Sequence, residues 1–343
     1  MPNKIGLVRK KMQLLKTLNP YRLWNYVLLK LSYRISTIIK KPIHWGYPIA
    51  ISIEPTTACN LKCPECPSGL RQFTRPTGNL KPKINENILK SLGKHLQYIN
   101  YYFQGEPFIN PNFLDFVAEA RQKNIYVLTS TNAHFISENV AENIVKSNLS
   151  EIIISIDGTT QKTYENYRIE GDLNKVKDGL IHIKKAKEAL NSKLPMVTIQ
   201  FLVTQYNEHQ IPEIEKWVNE YGADQLNLKT IQVYNYEKGN HLIPKNEKYS
   251  RYKKEKNGNY RLKNKMSNYC WRMWSTCVFT WDGVIVPCCF DKDAKYKMGD
   301  ISKTEFKQIW KSGIYSDFRQ KILKNRSQID ICKNCSEGSK IWV

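Results

Sequence analysis

The first 53 residues contain no aspartate or glutamate, although they carry ten lysines and arginines; the first carboxylate is Glu54. No cysteine occurs between Cys66 and Cys270, and no His or Cys near Cys59–Cys66 offers a fourth ligand to that group. No stretch reaches the roughly 18 uninterrupted apolar residues that span a bilayer. The N-terminal apolar residues are interrupted by Lys and Arg and end in no small-residue cleavage site, which excludes a secretory leader and implies a cytoplasmic protein. Internal repeats and low-complexity tracts are also absent, which excludes solenoids and disordered polymers.

What is present divides the 343 residues unevenly. The net charge of +22 sits largely in two segments, residues 1–53 and residues 245–265, where nine Lys/Arg face only Glu247 and Glu255. Hydrophobic content of 41% supplies a large core and a smaller one. Nine cysteines in an intracellular chain argue for metal ligation rather than disulfides.

Residues 1–47 read as a basic N-terminal extension of two short amphipathic helices. Leu7, Met12, Leu14 and Leu15 mark one apolar stripe; Leu23, Trp24, Val27, Leu28, Leu31 and Ile35 mark another; Asn19-Pro20 divides them. Such helices either pack on the outside of the domain or lie, through residues 1–45, on a membrane surface. From 48 to 235 strand-like runs (48–54, 99–104, 125–131, 152–157, 196–203, 225–231) alternate with helical patterns. Six such units predict an α/β fold with a parallel sheet, a partial (β/α)6 TIM-like barrel, with active residues at the C-terminal strand ends. Residues 236–265 are polar and basic and read as a linker. Residues 266–343, rich in Cys and Trp, read as a small α+β domain.

The first strand runs into Cys59-Asn-Leu-Lys-Cys63-Pro-Glu-Cys66. Thiolates on one loop select an iron-sulfur cluster or zinc. Zinc in a structural site wants four ligands, so a distant residue would have to complete it. Three thiolates around a 4Fe-4S cube leave one iron open to substrate.

This spacing after a first strand resembles the radical S-adenosylmethionine (SAM) superfamily. The resemblance continues through Gln104-Gly105-Glu106-Pro107, Thr131-Asn132-Ala133, Ser155-Ile156-Asp157-Gly158 and Tyr167-Arg168 with Gly171. It implies that Cys59, Cys63 and Cys66 hold a SAM-cleaving 4Fe-4S cluster. It also implies that Gln104, Gly105, Glu106, Pro107, Asn132, Ser155, Asp157 and Arg168 contact SAM. Gln104 departs from the glycine common in that family, and Glu65 from an aromatic residue that packs near adenine.

The C-terminal pattern, Trp281-Asp282-Gly283, Met298-Gly299-Asp300 and a closing Cys332-x2-Cys335, is similar to the SPASM or twitch domain. By position Cys270, Cys288, Cys332 and Cys335 would hold one auxiliary 4Fe-4S cluster, with a zinc or rubredoxin-like site as the alternative. Cys277 and Cys289 are expected to pack as small hydrophobes, or Cys289 to face substrate; Trp271, Trp274 and Trp281 are expected in the core. The resemblance implies generation of a 5′-deoxyadenosyl radical and, with the auxiliary cluster, oxidation of a sugar- or cyclitol-like molecule. A peptide-modifying maturase is the alternative, and a non-catalytic electron-transfer protein a third reading. A low-potential donor such as flavodoxin or ferredoxin is the expected partner, and Arg168, Lys229 and Arg272 are candidate contacts for an anionic substrate. The basic segments lack an RNA-binding motif, so no nucleic acid is expected.

Overall fold

The computed structural model describes residues 4–263 and 266–335; the ends of the expected units at 1–3, 264–265 and 336–343 lie outside the described residues. Two helices, α1 (Lys4–Lys16) and α2 (Pro20–Ile39), precede strand β1 (Ala50–Ile53) and the helices α3 (Pro67–Leu70) and α4 (Pro82–Leu92). Then follow β2 (Tyr98–Asn100), α5 (Phe113–Gln122), β3 (Tyr126–Thr131), α6 (Glu138–Lys146) and β4 (Glu151–Ser155). The series continues through α7 (Gln161–Glu165), α8 (Leu173–Ala189), β5 (Met196–Val203), α9 (Ile211–Glu220) and β6 (Gln225–Thr230). Every expected strand of the alternation is present within a few residues.

Strands β1 to β6 pair in order and in parallel. Their outward faces carry Ile51, Ile99, Val127, Ile152, Ile154 and Ile199 into one core with the helices. Local chemistry sets the helix starts: Ser137 accepts from Val140 N at 3.4 Å, Asp172 from Asn174 N at 2.9 Å, and Asn19 from Arg22 N at 2.9 Å, with Pro20 in the first turn.

The C-terminal residues continue this sheet. Strand β9 (Thr276–Phe279), after β7 (Tyr252–Lys254), β8 (Tyr260–Leu262) and α10 (Arg272–Ser275), pairs in parallel with β1, Ile51 lying opposite Cys277. Antiparallel β10 (Val284–Val286) and β11 (Gly299–Asp300) then extend it to nine strands. Helices α11 (Phe306–Trp310) and α12 (Gly313–Asn325) close the chain, broken at Ser312, which caps α12.

Two readings need correction. Residues 236–265 are not a featureless linker: β7 and β8 form an antiparallel pair, and Tyr252 joins Ile231, Val233, Leu242 and Ile243 in a small core. The N-terminal helices do pack on the body, but their apolar stripes are largely turned outward: Leu7, Met12, Leu15, Leu23, Trp24 and Leu31 are exposed, while Leu14, Val27, Leu28 and Ile35 are half-buried.

The loop after β1 is locked to the C-terminal unit by a buried ion pair. Arg75 donates from Nη2 to Glu54 Oε1 at 2.6 Å and from Nη1 to Oε2 at 2.9 Å, while Trp281 N donates to the same carboxylate at 3.2 Å. Both side chains are almost fully buried. Removing one partner strands a buried charge, so Arg75→Ala should cost about 3–5 kcal/mol in a chemical denaturation curve. A loss within error of zero would mean that the pair does not hold these elements together.

Candidate iron-sulfur and SAM site

Strand β1 delivers its chain to the top of the barrel, and the Cys59–Cys66 loop is fastened there from the ends of β2 and β3 and from the segment between α7 and α8. Asn132, after β3, donates to Asn60 Oδ1 at 2.8 Å, and its Nδ2 stands 3.9 Å from Cys59 Sγ. Arg168 Nη1 stands 3.9 Å from Cys63 Sγ. Gln104 Oε1 stands 3.9 Å from Cys66 Sγ. Each of the three sulfurs therefore has one polar side chain from a different segment of the barrel beside it.

Behind these contacts lies a layer that orients them. Glu106, buried, accepts from Thr131 Oγ1 at 2.6 Å, Asn132 N at 2.8 Å and Phe108 N at 3.3 Å. Burial pushes its carboxyl up to about 7 against those three hydrogen bonds. Pro107 opens the short turn that carries Phe108. Asp157 is buried with both oxygens engaged: Oδ2 takes Arg168 Nε at 2.5 Å and Oδ1 takes Leu202 N at 2.8 Å. It thus aims Arg168 rather than presenting an unoccupied carboxylate. Ser155 Oγ lies 3.3 Å from Ser130 Oγ on the neighbouring strand. Glu65, where an aromatic was the familiar residue, accepts from Tyr234 N at 2.9 Å and ties the loop to the segment beyond β6.

Gly105 has φ +75°, and a Cβ there would lie 2.2 Å from Thr56 O and 2.8 Å from Ala58 O. The departure at Gln104 is harmless for this reason: the left-handed conformation falls on the next residue, which is glycine.

Burial pushes the Cys59 thiol up to about 11 and the Cys63 thiol up to about 12, partly opposed at both by the Arg168 charge. A bound metal centre would reverse this by stabilising thiolates. Three soft donors from one loop, with polar groups around the sulfurs and no imidazole among them, fit a 4Fe-4S cluster held by Cys59, Cys63 and Cys66. Among the described residues no three His, Cys, Asp or Glu groups converge as one bound ion would need.

The second cysteine group also comes together. Cys288, after β10, lies within electrostatic reach of Cys289, Cys270 and Cys332. Cys270, Cys332 and Cys335 surround the buried Arg326, whose Nη2 donates to Cys335 Sγ at 3.1 Å. The backbone of Arg326 is fixed by Asn268 Oδ1 at 3.0 Å, and its Nη1 by Tyr269 O at 3.0 Å. Nothing in the sequence singled out Arg326. The β7–β8 unit clamps the same turn: Tyr252 OH donates to Asn334 Oδ1 at 3.1 Å, and Arg251 Nη1 to Asn334 O at 3.2 Å. A guanidinium beside these sulfurs favours the more reduced, more negative state of any cluster they hold. Arg326→Gln should accordingly lower the midpoint potential of the second cluster in an EPR-monitored redox titration; an unchanged or raised potential would refute this role.

Between β1, β6 and β9 lies a cavity of about 550 Å³. Arg251, Lys229 and Arg272 line it, with no carboxylate in its walls. Burial, the positive charge of Arg272 and that of Arg251 all hold the Lys229 amine below its usual range, opposed by Cys289. Asn100 Oδ1 and Arg251 Nε, both on lining residues, are buried without a partner. Cys289 packs against the cluster of Phe103, Val278, Val286 and Ala294 and also lines the cavity, 3.5 Å from Arg272 Nη1. Cys277 is buried in the core cluster, and Trp274 is wholly buried. Of the three expected anion contacts, Lys229 and Arg272 meet here, whereas Arg168 belongs to the cysteine loop.

A parallel partial barrel whose first strand ends in a three-cysteine loop, followed by a second cysteine unit on the same sheet, defines an iron-sulfur enzyme class. The radical SAM superfamily pattern matches residues 53–218, and the SPASM iron-sulfur cluster-binding domain matches residues 270–336. The chain belongs to the radical SAM superfamily, carries a C-terminal SPASM domain, and uses 4Fe-4S clusters and SAM as cofactors.

It is 22% identical over 315 residues to the tungsten-containing aldehyde ferredoxin oxidoreductase cofactor-modifying protein of Pyrococcus furiosus, covering 83% of this chain and 86% of that one. The mycofactocin maturase MftC of Mycobacterium ulcerans is 28% identical over 176 residues, 51% of this chain; the match spans only 46% of the maturase. The solved structure of anSMEcpe with bound AdoMet shares the fold at TM-score 0.62 and 20% identity, covering 85% of this chain and 92% of that one.

Proposed function

We propose that this radical SAM enzyme oxidises a small anionic molecule of sugar or cyclitol type, held in the cavity between β1, β6 and β9. The observation that carries the reading is that cavity: three cations, no acid in its walls, and an orphaned amide oxygen at Asn100. A cavity walled by cations and by no acid suits an anionic ligand electrostatically. When bound at Cys59, Cys63 and Cys66, the cluster and SAM would supply hydrogen-atom abstraction, chemistry that closed-shell side chains cannot perform.

The chain's own residues then do four things. Arg272, Lys229 and Arg251 neutralise and orient the anion, and Asn100 Oδ1 accepts a hydrogen bond from a substrate hydroxyl. Asp157 and Glu106 hold Arg168 and Asn132 against the cysteine loop. Phe103, in the cavity wall, and Gln104, beside Cys66, connect the two places along one strand end. Cys270, Cys288, Cys332 and Cys335 would saturate a second cluster, which suits it to electron transfer, with flavodoxin or ferredoxin as the external donor. Peptide modification is the second reading, supported by the likeness to the maturase over half of this chain; the size of the cavity and its cations favour the small molecule.

The substrate class is tested with inorganic phosphate and pyrophosphate. Both should raise the melting temperature of the reconstituted enzyme, and Arg272→Gln with Lys229→Ala should remove the effect. An equal rise with chloride at matched ionic strength, or with the variant, would count against an anion site in this cavity.

A further inference from the structure

The two N-terminal helices are amphipathic the wrong way round. On α1 and the turn after it the residues facing the body are Gly6, Arg9, Lys10, Gln13 and Thr17, together with Leu14, whereas Leu7, Val8, Met12, Leu15 and Leu18 are exposed. On α2 the buried positions are Arg22, Asn25, Leu29, Ser32 and Ser36, four of them polar. The opposite stripe of Trp24, Leu31 and Ile38, at seven-residue spacing, is 61%, 46% and 78% exposed.

This orientation is fixed by directed contacts. Lys10 reaches Glu151, at the start of β4, at 2.7 Å; Arg9 pairs with Asp224, just before β6, and donates to Lys193 O at 2.7 Å. Arg22 donates to five backbone carbonyls, of Thr17, Gly93, Lys94, Lys123 and Asn124, four of which lie where α4 and α5 end. Asn25 exchanges hydrogen bonds with the backbone of Tyr47 at 2.8 and 2.9 Å. Rotating either helix to bury its apolar stripe would break these contacts and return nothing polar in exchange. The outward apolar face is therefore built in, and a face of this kind on a chain otherwise well packed marks an interaction surface.

We propose that this face docks on an anionic phospholipid bilayer, with α1 and α2 lying in the plane of the interface. Three observations select a lipid surface. Residues 1–53 hold no acid, and with Arg9, Lys10 and Arg22 turned to the body the exposed cations Lys11, Lys16, Arg34, Lys40 and Lys41 leave the apolar stripe flanked by one sign of charge only. Trp24, Tyr21 and Trp45 are exposed among them, the residue types that settle at the boundary of headgroup and acyl chain. Beside α1 a cavity of about 450 Å³ is lined by Arg9, Lys16, Arg121 and Lys193 with the apolar Met12 and Leu194, a cationic socket of headgroup scale. Neither helix is long and apolar enough to cross a membrane, which leaves the in-plane arrangement. The contacts of α1 and Arg22 all lie at the N-terminal ends of the strands, opposite the end that carries the cysteine loop. Docking thus covers the floor of the barrel and leaves its mouth to water.

The test is sedimentation of the reconstituted chain with vesicles of phosphatidylcholine alone or mixed with phosphatidylglycerol, alongside its mass in solution by light scattering. The protein should sediment with the mixed vesicles, remain in solution with phosphatidylcholine alone, and lose binding as salt rises. Trp24→Asp with Leu31→Asp should weaken partitioning by about tenfold or more, while iron content and SAM cleavage stay at the parent level. No sedimentation with mixed vesicles overturns the proposal. So does equal binding to both kinds of vesicle, or a dimer that the two substitutions dissociate without vesicle binding by the parent, which would make the face a protein interface.

Discussion

Replacing Cys63 by alanine should reduce the iron bound after anaerobic reconstitution from about eight to about four per chain and abolish reductive cleavage of SAM. Of the three loop cysteines Cys63 is the most buried, 5% exposed, and lies beside Arg168, which Asp157 holds in place. The loop offers no substitute donor: its nearest other polar groups are amides and a guanidinium, none of them a soft ligand. The second cysteine group is built from the segment before α10, the end of β10 and the turns after α12, and should keep its iron. Iron retained at the parent level, with 5′-deoxyadenosine still formed, would show that this loop is not the ligand set.

Gly105→Ala should produce nearly the same defect with every cysteine in place. The added Cβ would meet the Thr56 carbonyl at 2.2 Å and that of Ala58 at 2.8 Å, and both are backbone atoms of the segment leading to Cys59. A flexible side chain could swing aside; this backbone cannot move without shifting the loop. The left-handed conformation adds about 1–2 kcal/mol of its own. The expected outcome is a folded but less stable protein that fails to assemble the first cluster and retains the second. Gly258→Ala separates the two effects, because Gly258 also has positive φ, at +86°, yet nothing lies within 4 Å of its Cβ position. That variant should lose a little stability and no iron. Equal iron in the Gly105 variant and its parent would mean that the loop tolerates displacement.

Much of this arrangement is legible along the chain because the determinants are local. Each strand of the alternation is a short apolar run, and the site residues of the barrel, Arg168 beyond α7 excepted, lie at or just after the end of one, so order along the sequence becomes adjacency at one end of the sheet. The pairing of β1 with β9 is not legible, since Ile51 and Cys277 meet across more than two hundred residues of chain and no periodicity encodes it. The β7–β8 hairpin did carry a signal, Asn257-Gly258 between Tyr252 and Tyr260, hidden by the density of lysine around it. The apolar stripes of α1 and α2 were visible, but which side they face depends on partners such as Glu151 and the carbonyls around Arg22. Arg326 and Arg251 are ordinary surface residues by type; only the fold brings them to the cysteines and the cavity.

The central claim is that Cys59, Cys63 and Cys66 bind a cluster with one iron left for SAM. The most direct measurement is the EPR spectrum of anaerobically reduced Cys332→Ala protein, in which the first site is the intact one, recorded with and without SAM. A spectrum altered by SAM, followed by release of 5′-deoxyadenosine, is the result this account predicts. A spectrum indifferent to SAM, from a chain that holds its iron, would contradict it.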